Sequence, residues 1–179
     1  ATWYGLEIFS EDYWQMVEKY VQTAVDFGVN MILTPIFTPP LDTDIGGERP
    51  TVQLVEVTKE GDQYSFDFTK LDRWIAMCRR CGVEYFEFSH LFTQWGAYHA
   101  PKIMAWENGE LKRIFGWDTN ARSPEYTGFL DQFLPALVEF IKEHGIADKC
   151  YFHVSDEPSI WDLESYGAAS AAVKKHLSD

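Results

Sequence analysis

One unit returns three times along this 179-residue chain: an amphipathic helix, a glycine that stops it, and a short apolar run directly behind. Between Glu11 and Phe27 the apolar residues Tyr13, Trp14, Val17, Tyr20, Val21, Ala24 and Val25 fall at three- and four-residue steps, with Ser10 as cap and Gly28 as stop. The strand Val29-Asn30-Met31-Ile32-Leu33-Thr34-Pro35 follows. The second unit has Thr69 as cap, a stripe of Leu71, Trp74, Ile75, Cys78 and Cys81, Gly82 as stop, and a strand from Val83 to Ser89. The third starts at Ser123-Pro124, runs through Tyr126, Phe129, Leu130, Phe133, Leu134, Leu137, Val138 and Ile141 to Gly145, and leads into a strand that ends near Asp156. Pro135 should kink or interrupt that third helix. A last helix is expected from Asp162 to Leu177.

Strands that are all entered from a preceding helix run in one direction, so the class is α/β with a parallel sheet. The helix-to-strand links are short. The strand-to-helix segments, from about Phe37 to Phe68 and from about His90 to Arg122, are long and aromatic, as in folds that build their site at the carboxyl ends of parallel strands. Within the first, Thr51 to Val57 and Tyr64 to Phe68 flank Glu60-Gly61-Asp62 and predict a hairpin insertion. A complete (β/α) barrel takes eight strands and typically around 250 residues. The expectation is therefore one domain over residues 1–179, a partial TIM-type barrel of roughly half the strands, whose open edges would favour self-association into a homo-oligomer.

Composition narrows the partners. With 28 acidic against 15 basic residues the formal charge is −13, which repels both a nucleic-acid backbone and an anionic membrane surface. Nothing resembles a spanning segment. Neutral ligands such as sugars remain, and aromatic residues, 16% of the chain, are their usual stacking platforms. Three cysteines exclude a disulfide scaffold, and Cys78-Arg79-Arg80-Cys81 lacks a second Cys-x-x-Cys, so these read as small core residues rather than half of a zinc or redox site. No cofactor is implied. The start, Ala1-Thr2-Trp3-Tyr4-Gly5, shows no signal-peptide pattern and no initiator methionine, as expected of a segment of something longer, and leaves the compartment open.

The chemistry concentrates in Tyr151-Phe152-His153-Val154-Ser155-Asp156-Glu157-Pro158, which reads as a buried strand ending in two adjacent carboxylates. Asp156 and Glu157 are the catalytic candidates. Successive strand residues face opposite sides, so both serve one pocket only if the chain leaves regular geometry at Asp156. His90 follows the second strand as Asp156 follows the third. Trp95, Tyr98, Trp106, Phe115 and Trp117, in the second long segment, offer walls for a sugar subsite, with Trp95 and Trp117 preferred. In the first, Asp42, Asp44, Glu48 and Arg49 either bind hydroxyls or tether a long excursion, and tethering is favoured. Thr34 and Asn30 are weaker candidates.

Four blocks in order resemble the catalytic domain of glycoside hydrolase family 123: LTPIFTPPLDT at 33–43, GERPTVQL at 47–54, SHLFTQWG at 89–96, and FHVSDEP at 152–158. The resemblance covers essentially the whole chain. It implies a (β/α) barrel with β-N-acetylgalactosaminidase activity, normally preceded by a β-sandwich domain, acting on a carbohydrate with a 2-acetamido group. It also implies substrate-assisted retaining hydrolysis by an adjacent Asp-Glu pair, which Asp156 and Glu157 match. Asp156 would orient the acetamido group. Glu157 would be the general acid and later base, a role for a carboxyl able to hold its proton at working pH. Substrate-binding roles are expected for His90, Trp95, Tyr98, Trp117, His153, Asp42 and Arg49. Two other readings stay open, a non-catalytic glycan-binding role and a metal-dependent hydrolase using His90, His153, Asp156 and Glu157.

Overall fold

The computed structural model describes residues 4–41 and 43–177. Helix α1 spans Glu11–Asp26, strand β1 Met31–Thr34, β2 Glu56–Glu60, β3 Gln63–Asp67, α2 Thr69–Cys81 and β4 Tyr85–Phe88. They are followed by β5 Ile103–Glu107, β6 Glu110–Phe115, α3 Pro124–Glu143, β7 Cys150–Phe152 and α4 Leu163–Lys174. The fold is mixed α/β with two open sheets. One is all parallel, in the order β1-β4-β7, and the other has the order β3-β2-β5-β6. Among the described residues neither sheet closes on itself, so the barrel of the sequence reading is not seen as such.

The helix signals act as read. Ser10 Oγ accepts from Tyr13 N at 3.2 Å and Ser123 Oγ from Tyr126 N at 3.3 Å, each satisfying a donor that the first helical turn leaves free. Gly82 ends α2 at φ 102°, a conformation in which a side chain is strained. Thr69 opens α2 as its first residue rather than its cap, and its backbone N–H is taken by Asp67 Oδ1 at 2.8 Å. Pro135 does not interrupt α3. Pro135 and Asp131, whose carbonyl it leaves without a donor, are both exposed, so the loss falls on the solvent side of the helix. Meanwhile Phe133, Leu134 and Leu137 on the inner face are fully buried and hold the helix on course.

The parallel sheet has one covered face. Thr34, Phe86 and Phe88 are buried beneath the helices, and Trp74 of α2 donates its indole N–H to Thr34 Oγ1 at 3.2 Å. Trp14 of α1 meets Trp74 with ring centroids 6.5 Å apart. The opposite face carries Leu33, Tyr85, Glu87 and Tyr151. Strand β7, expected to be buried, lies at the sheet edge with Tyr151 51% exposed, because β4 pairs with it on one side only.

The second sheet is built from the two strand-to-helix excursions. The predicted hairpin is β2–β3, turning at Gly61-Asp62. A second hairpin, β5–β6, was not foreseen, and its single parallel contact with β2, Thr58 to Trp106, joins both excursions. Phe37, Phe66, Phe129 and Phe133 pack them onto α3, with Phe37 and Phe133 centroids 4.7 Å apart. Phe115 belongs to this core, 5.2 Å from Phe129, and not to a sugar subsite. Both loops that reach the carboxyl ends of the parallel strands are thereby anchored.

Candidate active site

The segment after β7 leaves strand geometry at His153, three residues before the acids, and Glu157 has φ 48°. A left-handed backbone at a non-glycine residue is disfavoured by roughly 1–3 kcal/mol and is held only where surroundings enforce it. It also abolishes the alternation that would throw Asp156 and Glu157 to opposite faces. Ser155, fully buried, fixes the turn by donating Oγ–H to the Thr93 carbonyl at 2.8 Å.

The loop after β4 is strained in the same manner, with φ 59°, 106° and 59° at Trp95, Gly96 and Ala97. The two loops meet through one residue. Trp95 donates its backbone N–H to the Asp156 carbonyl at 3.0 Å and its indole N–H to Glu157 Oε2 at 3.1 Å. Trp95 stays 42% exposed, leaving part of its ring free. Asp156 is half-buried and Glu157 is exposed, so the proposed acid sits at an open surface beside the Asp156 carboxylate.

Tyr98 donates its hydroxyl to Asp162 Oδ1 at 2.9 Å, and Asp162 also accepts from Ser159 N at 2.8 Å and Ser159 Oγ at 2.6 Å. The Ser159 hydroxyl and backbone, then Tyr98, hold the Asp162 carboxyl below its ordinary range. Gly96 sits under this pair with no room for a side chain, since a Cβ there would lie 2.5 Å from Tyr98 Cε2. Asp162 was not singled out from sequence, although Ser159-x-x-Asp162 is a capping-box pattern and forms one here.

His90 and His153 also come together, their rings perpendicular with centroids 4.8 Å apart. Their shared partner is Glu87 rather than the Asp-Glu pair, at 3.8 Å from His90 Nε2 and 4.0 Å from His153 Nδ1. Burial, then His153, pushes His90 below its ordinary value, with Glu87 and Asp156 opposing. Glu87 was overlooked, though a lone acid between Phe86 and Phe88 in an apolar strand was a visible signal.

Trp117 and Arg49 stand elsewhere, along a cleft of about 150 Å³ lined also by Thr43, Glu48, Lys102 and Arg113. Asp156, Glu157 and Trp95 do not line it. Glu48 accepts from Lys102 at 3.1 Å and pairs with Arg113 at 3.2 Å, and Lys102 also donates to the Arg49 carbonyl at 3.1 Å. These bonds are the internal tethers a long excursion needs. Trp117 lies 5.9 Å from His99, whose buried Nδ1 has no partner among the described residues. Trp106 is on β5 in the outer hairpin. Asp42 lies outside the described residues.

A family description now fits the residues. The chain matches the model of the glycoside hydrolase 123 catalytic domain over residues 1–179 and belongs to that family. It is by that membership a glycosidase domain with a carbohydrate substrate. A comparison with curated proteins finds no match.

Proposed function

We propose that the chain is the catalytic part of a β-N-acetylgalactosaminidase, working by substrate-assisted retaining cleavage of terminal 2-acetamido sugars. We further propose that β1, β4 and β7 are consecutive strands of a (β/α) barrel, with the site at their carboxyl ends. The observation that carries the reading is the double hold of Trp95 on Asp156 and Glu157 between two loops that both adopt left-handed backbone.

Adjacent acids suit this chemistry better than the usual retaining arrangement, where two carboxyl groups stand about 5–5.5 Å apart across the scissile bond. The sugar's acetamido oxygen attacks the anomeric carbon and the glycosidic bond breaks. Asp156 accepts the amide N–H and stabilises the positive charge that grows on the ring formed. Glu157 protonates the departing oxygen, then takes a proton from the water that opens the cyclic intermediate. Trp95 supplies an exposed ring edge for the sugar, and Tyr98, His90 and His153 border the same strand ends.

An aryl 2-acetamido-2-deoxy-β-galactoside and the matching aryl β-galactoside separate the options. Turnover of the first only, abolished by Glu157→Gln and slowed at the cyclisation step by Asp156→Asn, supports the assignment. Equal turnover of both sugars removes the acetamido group from the mechanism, and binding of N-acetylgalactosamine without turnover leaves a glycan-binding role.

A further inference from the structure

We propose that Glu87, His90 and His153 form a binding site for a divalent first-row transition-metal ion, zinc in the first place, distinct from Asp156 and Glu157. The three side chains offer one ligand atom each, and these atoms all lie within 4.8 Å of one another. Glu87 belongs to β4, His90 follows that strand by two residues, and His153 is the first residue past β7. Parallel pairing of Glu87 with Tyr151 and Phe88 with Phe152 fixes these positions before any ion arrives.

The spacing is that of groups around a gap. At 3.8 and 4.0 Å the carboxylate is outside hydrogen-bond reach of either imidazole, for which 2.7–3.2 Å is usual. Zinc bonds of about 2.0–2.1 Å in tetrahedral geometry place ligand atoms roughly 3.3–3.5 Å apart, so closing on an ion asks for about half an ångström at each carboxylate–imidazole distance and up to about 1.5 Å between the imidazoles. His90 is only 3% exposed and turns Nε2 toward the carboxylate, while its other ring nitrogen, Nδ1, has no hydrogen-bond partner among the described residues.

Two imidazoles and a carboxylate select zinc and its neighbours over magnesium or calcium, which prefer all-oxygen shells. Half-exposed His153 gives the ion a route in. A bound ion would clamp the ends of β4 and β7, and so steady the loop that carries Asp156, without taking part in bond cleavage.

Calorimetric titration of the metal-free chain with zinc chloride tests the site, with cobalt(II) absorption as a report on ligand type. One ion per chain is expected, bound at least about 10-fold more weakly in His153→Ala and in Glu87→Gln, since even partners behind the ligands cost that much. His176→Ala, which removes a surface His-carboxylate pair, should change nothing. Circular dichroism shows whether the variants fold, and exposed His153 is the safer replacement. Absence of stoichiometric binding, or binding unchanged in both site variants, overturns the proposal. Glycosidase activity is scored separately: turnover that survives a chelator agrees with an ion that takes no part in bond cleavage, and a failed titration leaves the proposed function standing.

Discussion

Trp95 donates its indole N–H to Glu157 Oε2 at 3.1 Å, across 62 residues of sequence, and with the same residue's backbone bond to the Asp156 carbonyl it orients the Glu157 carboxyl and ties down the loop that carries both acids. A typical intramolecular hydrogen bond contributes about 0.5–1.5 kcal/mol. Trp95→Phe keeps the ring and loses the donor, so it should lower kcat/KM on an aryl 2-acetamido galactoside by roughly 3- to 10-fold. The fall should sit mostly in kcat. A change confined to KM would reduce Trp95 to a stacking surface.

Gly96 is the point at which the same loop is least able to change. Its φ of 106° disfavours any side chain, and a Cβ would also meet Asp162 Oδ1 at 2.6 Å. Gly96→Ala should therefore lose the Tyr98–Asp162 bond and destabilise the chain by roughly 1–3 kcal/mol, about 3–10 °C in Tm. Gly128→Ala is the control, because Gly128 is in α3 with open space around it and the change should be neutral or raise Tm. Equal Tm for wild type and Gly96→Ala would show that the loop relaxes freely.

The contrast between those two glycines shows what a sequence carries. The three long helices were legible because their determinants are local: Ser10 and Ser123 bond their own first turns, and stripes such as Leu130, Leu134 and Leu137 fix the buried face. The β5–β6 hairpin was missed although it carries a local signal in Asn108-Gly109, whose φ values of 54° and 79° are those of a tight hairpin turn, because the aromatic residues around it point equally to a ligand loop. Glu87 beside His153 was not legible, because only the register of β4 against β7 makes them neighbours. The shortness of β7 has the same origin, since an apolar run states how buried a strand could be and not how many neighbours it finds.

Asp131 on α3 accepts from Lys175 Nζ and His176 Nε2, both at 2.7 Å, just past the end of α4. Lys175, then His176, holds its carboxyl below the ordinary value of 3.8. A carboxylate with a depressed folded pKa stabilises above its unfolded value and loses that contribution as pH falls through the folded one. The docking of α4 should accordingly weaken in acid, below the ordinary carboxylate value. Amide exchange in residues 163–174 should accelerate there ahead of α1 and α2, and Asp131→Asn should bring the same acceleration at neutral pH. Uniform exchange across all helices in acid would mean that α4 depends on other contacts.

Cys78 and Cys81 sit one helical turn apart, both buried, in the spacing of a redox pair. Burial pushes Cys78 up to about 12 and Cys150 likewise to about 12, while Cys81, the nearest to the surface contact with Glu18, is raised in the same direction by burial and by that neighbouring charge. Since the thiolate is the reactive form, a rise from 9.0 to about 12 lowers its share at pH 8 by roughly 1000-fold. The native chain should react slowly with a thiol-specific disulfide reagent at pH 8, and all three thiols should appear at once in guanidinium. Mass spectrometry of briefly alkylated protein assigns any early label, which is expected on Cys81 first. A burst of Cys78 modification within seconds would contradict its place in the core and restore the pair as a redox site.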